Sequence, residues 1–206
     1  RVELMIRVRC GIRFGLCAVL VVLSLVCIFV GILARQAHRQ RSAVRWIREN
    51  GGEVVYDFDA SFEPVVRGDL PGPDWLCRLV GIDFFASVRG VALNGTQVSS
   101  VAVLEKLPNL FSLDLEDTPV PDIASLKHLS QLTTLNLKGT QVCDISPLAN
   151  LERLSWLNLS ETEVRSLSPL QNLRALSYLK LNRMDGVEDT EVVKLRKSLP
   201  SCTIEH

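Results

Sequence analysis

Apolar residues recur at a fixed interval of 22 positions from residue 88 onward. The four units after the first contain a leucine–polar–leucine segment such as Leu135-Asn136-Leu137. A threonine follows this segment at a constant offset, at Thr96, Thr118, Thr140 and Thr162, and the column breaks at Met184. A stack of similar coils has this regularity, because each coil buries its apolar edge against its neighbours. The pattern predicts a solenoid over residues 88–187.

Local signals within one unit predict its parts. Leu135-Asn136-Leu137 alternates apolar and polar residues, as a strand with one buried face does. Gly139-Thr140 predicts a turn, in which the threonine satisfies backbone groups. Residues 144–148 predict a short helical or 3₁₀ segment, with Ser146 capping its free amides and Pro147 at the first helical position.

The unit LTTLNLKGTQVCDISPLANLER, residues 132–153, resembles the 22-residue leucine-rich repeat of bacterial internalins and of phosphatase-regulatory repeat proteins. That type carries asparagine where this chain has threonine. The resemblance implies an α/β solenoid, a leucine-rich-repeat horseshoe with a parallel concave β-sheet and short helical or 3₁₀ convex segments. It also implies a protein that binds other proteins rather than one that performs chemistry, and it names no partner.

An apolar segment without charges lies at residues 14–34, after a short basic tail at residues 1–13. A helix of this length reaches roughly 30 Å, the thickness of a bilayer core, which predicts a transmembrane helix. A cleaved signal peptide is the alternative, although its apolar region is usually about 7–15 residues long and ends at small residues. Together with the resemblance, this predicts a single-pass protein of the bacterial inner membrane.

The side of the membrane that carries the repeats stays open. Positive charge favours the cytoplasmic side, and arginines before and after the span nearly balance. We expect a short cytoplasmic tail with the repeats outside the cytoplasm. The chain begins with Arg1, so either residues precede it or Met5 is the true start.

Charge divides the chain unevenly although its formal net charge is zero. Residues 1–50 hold nine arginines and two glutamates, and the remainder is acidic. Residues 35–52 predict a basic juxtamembrane helix ended by Gly51-Gly52. We expect anionic lipid to contact arginines of this helix, namely Arg35, Arg39, Arg41 and Arg45. A basic stretch with Trp46 also occurs in nucleic-acid-binding proteins, but arginine and tryptophan beside a span favour lipid, so no nucleic acid is expected.

Two further segments are predicted to cover the ends of the solenoid. Residues 53–87 contain a strand and an apolar helical pattern from Asp74 to Val80, which suit an N-terminal cap. Residues 188–206 predict a helix, Glu191 to Leu199, and then a last short strand.

Candidate chemistry is sparse, and we expect no catalytic activity. The three histidines, His38, His128 and His206, lie far apart along the chain, which disfavours nucleophilic triads. No phosphate-binding or dinucleotide-binding motif occurs, so no cofactor is expected. The cysteines show no C-x-x-C spacing, so no metal site is expected.

The concave face of the predicted sheet is the candidate site. Trp156 and Tyr178 occupy the same position in neighbouring strands, about 4.8 Å apart, and these residue types are enriched in binding hot spots. Polar residues expected to orient a protein or peptide partner follow in the same strands, at Asp114, Glu116, Asn136, Asn158 and Lys180. The alternative is that the aromatic pair merely covers the sheet or contacts the C-terminal cap.

Three functions fit these features. The first is a membrane-anchored recognition protein. The second is a regulatory or docking subunit for an enzyme such as a phosphatase or kinase. The third is a structural membrane protein that associates with itself.

Overall fold

The structure is a computed structural model that describes residues 2–57, 75, 81–184 and 186–206, with side chains from residue 19 onward. The chain divides into two compact units, Arg1–His38 and Arg39–His206. Helix α1, Val2–Glu49, belongs to both units, which are considered separately below. It ends where the glycine pair predicts, because Gly51 has φ 81 and donates a hydrogen bond to the Arg48 carbonyl.

The N-terminal part of α1 is long and apolar enough to cross a membrane. Its most apolar window has a mean hydropathy of 2.4, and none of that window is buried. The core helix of a soluble domain is mostly buried, which this window is not. A signal sequence has the same length and composition.

A seven-stranded sheet organises the second unit, with the strands in sequence order. Strand β1 pairs antiparallel with β2, and every later pair is parallel. The strands are β1 Glu53–Tyr56, β2 Val88–Ala92, β3 Ser112–Asp114, β4 Thr134–Asn136, β5 Trp156–Asn158, β6 Tyr178–Lys180 and β7 Thr203–Glu205. From β2 to β6, residues that pair are 22 positions apart, so the predicted period is the register of the sheet.

Short 3₁₀ helices connect the strands, as the unit pattern predicts. They span Ile82–Phe84, Ala102–Lys106, Ala124–His128, Ser146–Asn150 and Ser168–Leu170. Pro147 lies in the first turn, one position later than predicted, and the capping role assigned to Ser146 is wrong. Ser146 is itself the first helical residue, and the Asp144 carboxylate accepts hydrogen bonds from both its amide (2.8 Å) and its hydroxyl (2.8 Å). Asp122 accepts a hydrogen bond from the Ala124 amide (2.8 Å) one coil earlier.

Leucines stacked coil upon coil form the core. Leu135 and Leu137 have no exposed surface, nor do Leu115 and Leu159 in the adjoining coils. This continuous apolar interior is why the 22-residue spacing is maintained, since each coil has only its neighbours to pack against.

The threonine column closes the turns after strands β2 to β5 with hydrogen bonds. Its hydroxyls donate to the carbonyl three residues earlier at 2.7 Å, from Thr96, Thr118, Thr140 and Thr162. The residue one position before each threonine has a left-handed backbone, as at Gly139 (φ 67) in the third coil and Asp117 (φ 55) in the second. The predicted role of the threonines in satisfying backbone groups is confirmed.

Both ends of the solenoid are covered. At the N-terminal end, Ala43, Val44 and Ile47 of α1 are buried in the core beside β1. Gln40 fixes this segment, because its amide donates to the Ala86 carbonyl (2.7 Å) and accepts from the Val88 amide (3.3 Å). The predicted basic helix therefore has two sides. One side is apolar and covers the first coil, and the arginines lie outside that apolar side.

Asp83 joins the same N-terminal contacts. It accepts hydrogen bonds from Gln40 (3.1 Å) and from the Tyr56 hydroxyl (3.0 Å), and Arg41 lies 3.6 Å away. Burial, together with the nearby carboxylate, raises the pKa of Tyr56 far above its usual value. The helix predicted from Asp74 to Val80 lies outside the described residues, apart from the exposed Trp75.

At the C-terminal end, helix α2, Asp189–Ser198, is followed by β7, which extends the parallel sheet. Val192 and Leu195 of α2 are buried in the core. The expectation of a helix followed by a strand is confirmed. Met184, where the threonine column breaks, is buried at 7% exposure next to this cap.

Candidate functional site: the face of the repeat sheet

Side chains that point away from the leucine core form one surface, called here the sheet face. It has a first column of Gly90, Ser112, Thr134, Trp156 and Tyr178, which pair along the sheet in that order. A second column contains Ala92, Asp114, Asn136, Asn158 and Lys180. A third column lies just beyond the strands, at Asn94, Glu116, Lys138, Ser160 and Asn182. The seven predicted contact residues all lie on this surface.

Trp156 and Tyr178 are stacked, as their matching positions predict. Their ring centroids are 6.4 Å apart and their planes differ by 8°. Both side chains are partly exposed. Two parallel rings on adjacent strands brace each other, so little side-chain freedom remains to be lost on binding.

The C-terminal cap holds Tyr178 in place. Its hydroxyl donates to the Glu205 carboxylate on β7, and this hydrogen bond raises the pKa of Tyr178. Lys180 reaches the same carboxylate at 3.7 Å and lies 5.6 Å from the centre of the tyrosine ring. Tyr178 thus contacts the C-terminal cap, as the alternative explanation of the aromatic pair expected. It also packs against one side of Trp156, the other candidate contact residue.

The second column supports the backbone of the sheet. Side-chain oxygens of Asp114, Asn136 and Asn158 accept hydrogen bonds from the amide two residues later, at 3.0, 3.2 and 3.0 Å. This local bond shapes the bend after each strand. Asn158 is only 6% exposed, so its side chain serves the coil more than the surface.

An ion pair occupies the third column. Lys138 Nζ lies 2.6 Å from Glu116 Oε1, and Asn136 donates to the other glutamate oxygen at 2.9 Å. The hydrogen bond from Lys138 and then that from Asn136 lower the pKa of Glu116. Since Lys138 and Glu116 neutralise each other, this part of the sheet face has little charge to offer a partner. Lys138 was not among the predicted contact residues, although the 22-residue period places it beside Glu116.

An open, largely apolar cavity of about 290 Å³ lies at the N-terminal end of the sheet face. The residues that line it are Val55, Tyr56, Asp57, Arg89, Gly90, Phe111 and Ser112. Val55 pairs with Gly90, and a Cβ on that glycine would lie 3.2 Å from the valine Cβ. Val55 thus covers Gly90 closely, and the open space lies beside Ser112 and Phe111. Sequence reasoning missed this cavity, because the antiparallel partner β1 lies outside the repeat period.

The arginines expected to meet lipid have different surroundings. Arg41 lies 3.6 Å from Asp83, with 42% of its side chain exposed. Arg35, Arg39 and Arg45 are exposed. Within the described part of the chain, no group of three or more histidine, cysteine, aspartate or glutamate residues could hold a metal ion.

Known structures resemble the repeat region. An internalin C2 from Listeria monocytogenes is 32% identical with a TM-score of 0.49, and the match covers 55% of this chain and 48% of that one. A leucine-rich-repeat protein from Leptospira interrogans is 22% identical with a TM-score of 0.50, covering 53% and 29%. A second Listeria internalin, inlF, is 26% identical with a TM-score of 0.43, covering 55% and 39%.

The chain spans less than half of the length of each of these proteins. No family model matches the sequence, and no curated protein matches it. The Leptospira match carries the fold assignment, and it agrees with the parallel register and the stacked leucines described above. The repeat region of this chain has the leucine-rich-repeat fold.

Proposed function

We propose that the chain is a single-pass membrane protein whose sheet face binds a protein or peptide partner without catalysing a reaction. The observation that carries the proposal is the stacked pair of Trp156 and Tyr178 on an otherwise polar surface. Aromatic side chains held rigid beside polar neighbours are typical anchors of protein interfaces. Trp156 is the main anchor, because Tyr178 is already bonded to Glu205.

The polar residues around the pair set the orientation of the partner. Asp114, Asn136 and Lys180 are partly exposed, and each keeps hydrogen-bonding capacity beyond its internal contact. Glu116 takes part together with Lys138 as a neutral pair. Asn158 contributes through its coil rather than through direct contact, since it is buried.

Capture by the full-length chain tests this proposal. Wild-type protein and a Trp156→Ala variant are used to isolate partners from membranes of the source cell, with chemical crosslinking and mass spectrometry. We expect the affinity for the identified partner to fall at least about tenfold in the variant, the usual scale of a hot spot. His128→Ala, an exposed change in a 3₁₀ helix, is the control and should bind normally.

Unchanged affinity in Trp156→Ala, with His128→Ala weakened instead, would place recognition on the 3₁₀ side and refute the proposal. An enzyme among the captured partners would identify the chain as a docking subunit for that enzyme.

We further propose that α1 anchors the chain and that Arg35, Arg39, Arg41 and Arg45 contact anionic lipid. Length and hydropathy of the N-terminal part of α1 support anchoring. A protease-protection assay on intact cells then tests on which side of the membrane the repeats lie. Resistance of the repeats to external protease would refute the orientation outside the cytoplasm.

Lipid contact is tested in nanodiscs that mix phosphatidylcholine and phosphatidylglycerol. Wild-type protein should co-purify with more phosphatidylglycerol than a variant with Arg35, Arg39 and Arg45 changed to glutamine. Equal enrichment would refute the lipid proposal. Arg41→Gln should matter less for lipid, because its side chain already lies near Asp83.

A further inference from the structure

Three exposed cations gather where α1 borders the 3₁₀ helix Ala102–Lys106. Arg39 and Arg45 each lie three positions from Ser42 on α1, so these three residues are neighbours on one side of the helix. Lys106 Nζ lies 3.2 Å from Ser42 Oγ, which brings this amine to the residue midway between the two arginines. A residue of the first coil and two residues of α1 thus form one basic surface.

Local contacts hold Lys106 in this position. The Ser42 hydroxyl donates to the Arg39 carbonyl at 2.8 Å, so its oxygen accepts the hydrogen bond from Lys106. Leu104 has no exposed surface, and it fixes the 3₁₀ helix that carries Lys106 on the core. The lysine therefore extends toward the arginines of α1, although Glu105 is its neighbour in sequence.

The positive charge of this surface is not balanced within the fold. Like charges placed together repel each other, and an anion among them relieves that cost. The nearby carboxylates are Glu105 and Glu49, which lies four positions after Arg45. Within the part of the chain that the structure describes, neither carboxylate is ion-paired with any of the three cations. Arg48 adds a further exposed positive charge to the same helix, so the surface remains positive.

The position of this surface in the sequence favours an anion at a bilayer. The apolar segment proposed to span the membrane ends at Ala34, five positions before Arg39 and eight before Ser42. Cations this close in sequence to a span are attracted to anionic lipid, whose field falls off within a Debye length of about 8–10 Å. The phosphate of a phospholipid carries the charged oxygens that guanidinium and ammonium groups bind. Free phosphate has the same chemistry but is not concentrated beside the helix.

We infer that the lipid contact extends from α1 to the first coil, where Lys106 joins Arg39 and Arg45 on the phosphate of an anionic phospholipid. Ser42 is a positioning residue, because it holds Lys106 beside the arginines. The inference rests on the proposed lipid contact of α1, and it adds a residue of the repeats to that contact.

Acetylation of lysine amines, measured by mass spectrometry on the full chain in nanodiscs, tests this site. Lys106 should react several-fold more slowly when the nanodiscs contain phosphatidylglycerol than when they contain phosphatidylcholine alone, because phosphate covers its amine. Lys197, an exposed lysine on α2, is the reference and should react equally in both. Equal rates for Lys106 in the two kinds of nanodisc would overturn the inference.

Two controls distinguish a lipid site from other causes of protection. Lys127 is exposed on the 3₁₀ helix of the next coil, and protection of Lys127 as strong as that of Lys106 would replace the site with general closeness of that side to the membrane. Soluble glycerol phosphate is added to the phosphatidylcholine nanodiscs as the second control. Protection equal to that given by phosphatidylglycerol would make this a site for free phosphate and overturn the lipid assignment.

Variants test whether the three cations act together. Protection of Lys106 is followed in detergent micelles as the fraction of phosphatidylglycerol is raised. Arg45→Gln should raise the fraction needed for half protection about fivefold, the effect of one cation near an anionic surface. Arg41→Gln should change it little, because Arg41 already lies 3.6 Å from Asp83. Ser42→Ala should also raise it, without weakening the helix, since alanine is the best helix former. An unchanged value in both Arg45→Gln and Ser42→Ala would overturn the inference.

Comparison with the nanodisc experiment on α1 separates the two ideas. Enrichment of phosphatidylglycerol that depends on Arg35, Arg39 and Arg45, with Lys106 unprotected, overturns the inference and leaves the lipid contact of α1 standing. If wild-type protein and the arginine variant retain phosphatidylglycerol equally, the proposed lipid contact fails, and the inference fails with it. Binding of a protein or peptide by the sheet face is independent of both results.

Discussion

Replacing Leu137 with alanine removes one leucine from the middle of the stack. Leu137 has no exposed surface, and Leu115 and Leu159, its counterparts in the adjoining coils, have none either. The change removes three carbon atoms, roughly 2–3 kcal/mol of transfer free energy at about 0.8 kcal/mol for each buried carbon. The cavity left between coils adds to this, so we expect a loss of about 2–5 kcal/mol in the free energy of unfolding.

Urea denaturation followed by circular dichroism measures this loss, using the chain in detergent and fitting the transition of the repeat unit. The slope with urea should stay the same, because the surface exposed on unfolding changes little. The melting temperature should fall by roughly 4–20 °C, since about 1 kcal/mol shifts a unit of this size by about 2–4 °C.

Val193→Ala is the matched control, because Val193 is 51% exposed on α2. It should change the free energy of unfolding by no more than about 0.5 kcal/mol. A loss below about 1 kcal/mol in Leu137→Ala, or an equal loss in the control, would refute the stacked-coil reasoning.

Three further outcomes are expected. Thr140→Val should cost about 1 kcal/mol by urea denaturation, because the hydroxyl bond to the carbonyl three residues earlier is lost, whereas Thr140→Ser should cost less. A fragment of residues 39–206 should melt at a higher temperature than residues 51–206, which lack the buried side of α1, and equal melting would contradict its capping role. The lowered pKa of Glu116 adds stability above its usual value of 4.5, so stability should fall as pH drops below that value, and Glu116→Gln should make this fall shallower.

The repeat region could be predicted from sequence because its physics is local and periodic. Leucine and threonine recur at the same positions in most coils, so strand register, core columns and the adjacency of Trp156 and Tyr178 follow from counting. The break at Met184 likewise marks where the C-terminal cap begins.

Features that depend on residues outside the period could not be predicted in detail. The hydrogen bond from Tyr178 to Glu205 spans 27 positions and joins a repeat strand to the cap. The cavity beside Gly90 requires β1, whose antiparallel pairing no repeat implies. The buried side of α1 that carries Ile47 was not predicted, because the arginines dominate the sequence of this segment. A helix can place apolar residues on one face and basic residues on another.

The Ser146 capping error has a related cause. Serine, aspartate and asparagine are all good capping residues, and Asp144 stands two positions earlier in the same turn. The 3₁₀ segment starts at Ser146, so only the aspartate can reach its free amide.

Hydroxyl-radical footprinting of Trp156 with and without the bound partner tests the central claim most directly, since it reports the side-chain exposure of the proposed anchor. The account predicts that the oxidation rate of Trp156 falls strongly in the complex, while the exposed His128 in its 3₁₀ helix reacts as before. Protection of His128 with Trp156 unchanged would contradict recognition by the sheet face.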